Sequence, residues 1–297
     1  MITKERFKER FKEIYDEVEK QVIDTLKKLE QDNPQDYVLF LANGEYRELI
    51  TAPYSPYTID NRTDVYRDLY RNKFLLDFLE KYYLKKEPLE NLPEDEKMYK
   101  IHLELMIYTH IWESKPFLKK LHRLAVICNK EDYPWVEDDL KTKKYEFINE
   151  IKENFNKANS GLSEIIGKAY NSSLRNAFAH SDYAIDEDLQ KIILLNHNPE
   201  NNWSLEDISF NDWEERFCYS ALLCYHLLER VNIAKQQLIP HEEEEKTFAI
   251  KHPDREGGIN DNRKIVYNKK EDAFRFVQHK ENENDEILKY FSGIFIE

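Results

Sequence analysis

Apolar positions recur every three or four residues along most of this chain, the spacing of one helix face. Phe7, Phe11, Ile14, Val18, Val22 and Leu29, with Leu26 alongside, predict an amphipathic helix from about Thr3 to Glu30, with Thr3 as its N-cap. Asn33-Pro34 ends it, because a residue before proline is pushed out of helical backbone. The stretch from Tyr37 to Ile59 holds Asn43-Gly44, Pro53 and Pro56, and predicts a short hairpin or loop. Helical spacing returns from about Asp64 to Leu84, and Pro88 and Pro93 interrupt the chain. A long helical run follows from Glu94 to about Cys128, kinked or split near Pro116. Another covers Val136 to Asn159, where Ser160-Gly161 closes it. Ser163 and Glu164 open a helix whose Ile165, Ile166, Ala169, Tyr170 and Leu174 lead straight into Arg175–His180.

After Asp182 the period shortens. Tyr183-Ala184-Ile185 and Lys191 to Leu195 predict two short strands around the acidic turn Asp186-Glu187-Asp188. A last helix is predicted from Asn211 to about Leu238, with a wide apolar stripe from Trp213 to Val231. Beyond Pro240, Glu242 to Glu245 read as a solvated joint. Phe248–Ile250, Lys264–Tyr267 and Ala273–Gln278 then read as strands, with Gly257-Gly258 as a turn. The chain thus divides into an N-terminal helix-and-loop extension (1–60), a main helical domain (61–240) and a small β-containing appendage (241–297).

Composition agrees with a mainly α protein. Among 297 residues there are only six Gly and ten Pro, while aromatic residues make up 13%, too many for a disordered chain. The formal net charge is −14, so nucleic acid, if bound, must meet a local groove or a subunit interface rather than a basic face. Cys128, Cys218 and Cys224 form no C-x-x-C pair and read as reduced core thiols. No segment resembles an apolar signal or a membrane span, and the expectation is a cytoplasmic protein.

The chemistry concentrates in Leu174 to Tyr183. On a helix, Asn176 and His180 lie one turn apart on one face, and Arg175, one step round, is expected to reach back over that face. A histidine moves protons near neutral pH, and an arginine keeps its charge and can clamp a phosphate. RNA carries its own nucleophile, the ribose 2′-OH, so cleavage needs no metal or cofactor; one His supplies one of the two proton transfers, and a second copy of the helix across a two-fold axis would supply the other. Ala177 and Ala179 are small enough for close approach, and Phe178 is the expected core anchor. Spacing alone is a weak signal: thirteen Arg and nine His in 297 residues give on the order of one such match by chance. A purely structural helix end, with Arg175 in a salt bridge and His180 favouring the C-terminal dipole, is the alternative.

Arg175, Asn176 and His180, with their flanks, resemble the active-site signature of HEPN ribonucleases: Arg, a polar residue, several spacers, His. Helices from about Leu103 to Tyr183, a strand pair and the helix from Asn211 to Leu238 are similar to the small helical HEPN core, roughly the middle half of the chain. The resemblance implies a HEPN-like helical bundle with a short β-hairpin. It also implies a metal-independent endoribonuclease that leaves a 2′,3′-cyclic phosphate and serves as a bacterial toxin or in anti-phage defence. Its expected partners are single-stranded or loop RNA, a second copy through the motif helix, and an antitoxin or sensor. His180 is then the general acid/base, Arg175 the phosphate clamp and Asn176 a positioning group. A catalytically silent scaffold, or a module binding a nucleotide or partner, is the alternative.

Glu113 is a candidate to face His180 and orient it, and Asp182 and Tyr183 are candidates to hold the imidazole or contact RNA. Arg67, Tyr70 and Arg71 interleave charge and aromatic surface in a way that suits single-stranded RNA, although Asp64 and Asp68 dilute the charge. His102, Glu104, His110, Glu113 and His122 give no H-E-x-x-H spacing, so no metal site is expected.

Overall fold

Every side chain from Phe217 to Leu228 is buried, so the helix carrying them, α9 (Phe210–Leu238), is wrapped on all sides. The computed structural model describes residues 4–46, 56–60, 62–84, 94–136, 144–200, 204–239, 246–253, 259–270 and 273–277. Within them the protein is mainly helical, with small antiparallel sheets.

Helix α1 (Lys4–Asp32) forms as its spacing predicts and packs along α9 through Phe11, Ile14, Val18, Val22, Leu26 and Leu29. Thr3, Pro88, Pro93, Glu242–Glu245 and Gly257-Gly258 lie outside the described residues, as does the Phe7 side chain. Asn33-Pro34 ends α1 but also starts α2 (Pro34–Leu41), where a loop was expected from Tyr37 onward. The Asn33 side chain accepts the Asp36 N–H, and proline at the first helical position costs no hydrogen bond. The expected hairpin follows as β1 (Glu45–Tyr46) and β2 (Tyr57–Thr58). Gly44 precedes it because a Cβ there would stand 2.7 Å from Leu39 Cδ1 and 3.0 Å from the Trp135 ring.

Helix α3 (Arg62–Leu79) continues as a π-helical turn over Glu80–Leu84. The long helical run splits where Pro116 predicts, into α4 (Glu94–Glu113) and α5 (Lys115–Cys128). Ser114 stands between them and caps α5 through the Phe117 N–H. After α6 (Lys144–Lys157), the expected single helix into the motif is instead two, α7 (Leu162–Ala169) and α8 (Ser172–His180). The break is made by a partner remote in sequence. Tyr170 is extended, the Asn171 N–H donates to Tyr108 Oη at 3.0 Å, and Asn171 Oδ1 accepts the Leu174 N–H at 3.0 Å as the cap of α8.

Strands β3 (Tyr183–Asp186) and β4 (Lys191–Leu194) form the expected pair, and β5 (Asp207–Ser209), which the sequence did not announce, adds a third. Strands β6 (Thr247–Pro253), β7 (Ile259–Asn268) and β8 (Ala273–Phe276) make the C-terminal sheet. One core cluster runs from Phe11 to Phe274, across the divisions drawn at residues 60 and 240. The C-terminal sheet is also tied down by polar contacts. Asp60 accepts the Phe274 N–H at 2.8 Å and Lys235 Nζ at 2.6 Å, and Lys251 meets the fully buried Asp36 at 2.9 Å.

Where α4 meets α9, a buried carboxylate joins three elements. Glu104 accepts Trp213 Nε1 at 3.0 Å and the Tyr83 hydroxyl, and lies 3.1 Å from Lys100, which also pairs with Glu214. The Lys100 ammonium sits 4.5 Å from the centre of the Tyr83 ring. Burial pushes the Glu104 pKa up, while Lys100 pulls against it. With its oxygens engaged, the group fixes the packing of α4, the helix on which the candidate site is built. No helix among the described residues is long and apolar enough to cross a membrane.

Candidate functional site

Leu174, Ala177 and Phe178 are buried and set the roll of α8 on α4. Phe178 is the anchor the sequence predicts. Its ring meets Tyr108, Tyr183 and Trp213 edge-on, at 5.9, 5.4 and 5.1 Å between centroids. Ala177 is sealed in the core rather than available for close approach; Ala179 is exposed. The helix stops at Ser181, whose left-handed backbone (φ 60°, ψ 28°) closes the last turn. The Asp182 N–H then donates to the Ala177 carbonyl at 2.8 Å, and the Asp182 carbonyl accepts the Leu195 N–H at 2.9 Å.

Arg175 does not reach back over the Asn176–His180 face. It turns to α4, where its Nη1 lies 3.1 Å from Glu113 Oε1 and its side chain is only 14% exposed. Lys144, at the start of α6, pairs with the other oxygen of Glu113. Two cations on one carboxylate leave the cluster with a net positive charge. Burial and the neighbouring Arg175 both lower the Lys144 pKa. Arg175 also stands beside the buried hydroxyl of Tyr170 without hydrogen-bond geometry; burial raises that hydroxyl's pKa and Arg175 opposes the rise. Glu113 therefore orients the arginine, not the histidine as its position in sequence suggested.

His180 is exposed, and neither it nor the half-buried Asn176 has a hydrogen-bond partner among the described residues. The two share a face, as their spacing dictates. Arg175 and His180 stand about 140° apart around the helix, so one copy of α8 presents them on opposite flanks. The strip between them consists of Ser172, Asn176 and Ala179, all small or short. The Asp182 side chain is exposed and forms no hydrogen bond or ion pair with His180. Tyr183 belongs to the aromatic packing, edge-on to Phe178 and 6.5 Å from the His102 ring.

The Arg67 side chain lies outside the described residues. Tyr70 is exposed, whereas Arg71 is committed: its Nε donates to His110 Nε2 at 3.2 Å and its Nη1 to Ser114 Oγ at 2.6 Å. Burial and Arg71 hold the His110 imidazole below its ordinary pKa. His110 and Glu113 are one turn apart on α4, so the Arg71–His110 pair and the Lys144–Glu113–Arg175 group adjoin. Sequence reasoning missed Lys144 and the part His110 plays. Nothing local marks either, because their partners come from other helices. Among the described residues, no three His, Cys, Asp or Glu side chains converge as metal ligands would.

No protein-family model matches the chain, and comparison with curated proteins and with solved structures finds no match. Function therefore rests on the site. It can do two things chemically: attract a phosphate with cations that outnumber their carboxylate, and exchange a proton at an open imidazole.

Proposed function

We propose that this chain is a metal-independent endoribonuclease of the HEPN type that acts as a homodimer on single-stranded or loop RNA. The observation that carries the reading is His180: an exposed imidazole with no hydrogen-bond partner among the described residues, on a helix end fixed by the core. The resemblance of Arg175, Asn176 and His180 to the family signature supplies the reaction class. One His takes the proton of the ribose 2′-OH, the 2′-oxygen attacks phosphorus, and the P–O5′ bond breaks. The 5′-oxygen leaves with a proton from a second imidazole, and a 2′,3′-cyclic phosphate remains. Arg175 stabilises the charge on the phosphate, worth roughly 3–4 kcal/mol by analogy with other preorganised donors.

Two copies supply what one lacks. If two α8 helices cross over their Ser172–Asn176–Ala179 strips, the short side chains allow close approach, and Arg175 of one copy moves toward the His180 of the other. A role as a toxin or in anti-phage defence, with an antitoxin or sensor as partner, follows from the resemblance alone.

The test is cleavage of single-stranded RNA by purified protein in EDTA. His180→Ala is expected to lower the rate at least about 100-fold, the scale of positioned acid–base catalysis, with the thermal melt unchanged. Cleavage that survives His180→Ala overturns the assignment. RNA bound but never cut by the wild type would support the scaffold reading instead.

A further inference from the structure

Tyr70 and Phe74 are 71% and 56% exposed, large aromatic rings that the core of this chain does not use. They stand one turn apart on α3 and so share a face. Arg71, between them in sequence, points toward α4 and holds His110. Because Arg71 Nε donates to His110 Nε2, that nitrogen is the acceptor, and the neutral ring carries its hydrogen on Nδ1. His110 is itself exposed. It therefore offers an N–H donor beside the cations Lys144 and Arg175, which share Glu113 one turn along α4. On the other side of the rings, Lys73 is exposed without a partner among the described residues.

Aromatic rings that take base faces, flanked by cations at phosphate height, are what a single strand of nucleic acid requires. In a chain of net charge −14, the cations Lys73, Lys144 and Arg175 outnumber the carboxylates Asp77 and Glu113 on the same surface, which answers the charge problem that a phosphate backbone poses. We propose that α3 and the end of α4 form the entry track for single-stranded RNA. Two successive bases stack on Tyr70 and Phe74, and the phosphates that follow meet His110 Nδ1–H, Lys144 and Arg175. The proposal rests on the ribonuclease reading for its choice of RNA, and it names the strand's path rather than the reacting groups. Tyr70 and Arg71 thereby take different parts. The ring contacts RNA, and the guanidinium sets the tautomer of the histidine that does.

The experiment uses the full chain and a fluorescent oligonucleotide of about 12 nucleotides with 2′-O-methyl groups throughout, which binds but cannot be cut by 2′-OH attack. Affinity is read by anisotropy across a salt series. The double variant Tyr70→Ala/Phe74→Ala, with both positions exposed, is expected to fold normally and to bind at least about fivefold more weakly with the salt slope unchanged. Lys144→Ala is expected to flatten the salt slope by about 0.7, one phosphate contact on a single strand, and Lys144→Arg to restore it. Lys130→Ala, a lysine remote from the track, should do neither.

Wild-type affinity in the double variant, or no binding by the wild type, overturns the proposal. So does a double variant that turns a dimer into a monomer while its affinity for the oligonucleotide stays intact; the rings would then face a second copy. The two readings fail separately. Undiminished cleavage by the double variant sinks the track and leaves the ribonuclease, whereas RNA binding that needs the rings, with no cleavage of unmodified RNA by the wild type, sinks the ribonuclease and leaves the track.

Discussion

The guanidinium of Arg175 is held 3.1 Å from the Glu113 carboxylate, across the contact between α8 and α4. A paired arginine can still stabilise a phosphate here, because Lys144 shares the same carboxylate and the group as a whole stays positive. The pairing fixes where the fork points. Glu113→Gln is expected to lower RNA cleavage about 10- to 100-fold, by analogy with lost positioning partners at other sites. The shape of the pH–rate profile should not change. Arg175→Lys should not restore the rate of Arg175→Ala, since a lysine cannot present two parallel donors. Steady-state cleavage assays over a pH series check all three.

Ala179 lies in the short-chained strip between Arg175 and His180. Ala179→Arg should keep two α8 helices apart, leaving a folded monomer by light scattering with cleavage reduced by at least about 100-fold, the share assigned to the second imidazole. A folded, active monomer would show that one copy suffices.

Glu104 is buried and engaged by Tyr83, Lys100 and Trp213. Glu104→Ala leaves Lys100 with less compensation in the interior and is expected to cost about 3–5 kcal/mol in urea unfolding. Glu104→Gln, which keeps an acceptor for the Trp213 indole, should cost less.

His226 is fully buried on α9, with its ring 4.4 Å from that of Tyr15 and neither ring nitrogen hydrogen-bonded. Burial, with help from Arg230, pushes its pKa down to about 4. The unfolded chain takes up a proton near the ordinary histidine value of about 6.5, while the native state resists until about pH 4. Stability from this group is therefore complete above about pH 6.5 and declines as pH falls toward 4, by roughly 3 kcal/mol in all. His226→Phe should flatten that part of the pH dependence, read from urea midpoints at pH 7.0 and at about 4.5. An unchanged slope would place the acid sensitivity elsewhere, in the carboxylates.

By itself the sequence determined the elements whose pattern is written in neighbouring residues: α1 from Phe11 to Leu29, the split at Ser114-Lys115-Pro116, the β3–β4 pair and the long α9. It also determined that Asn176 and His180 share a face, a relation fixed within a single turn. Only the tertiary structure decided where the motif helix begins, because the break at Asn171 depends on the Tyr108 hydroxyl, 63 residues away. It likewise decided that Arg175 turns to Glu113 and Lys144 and that Arg71 belongs to His110. Periodicity is a property of neighbours along one helix, and a long charged side chain finds its partner only when other helices arrive beside it.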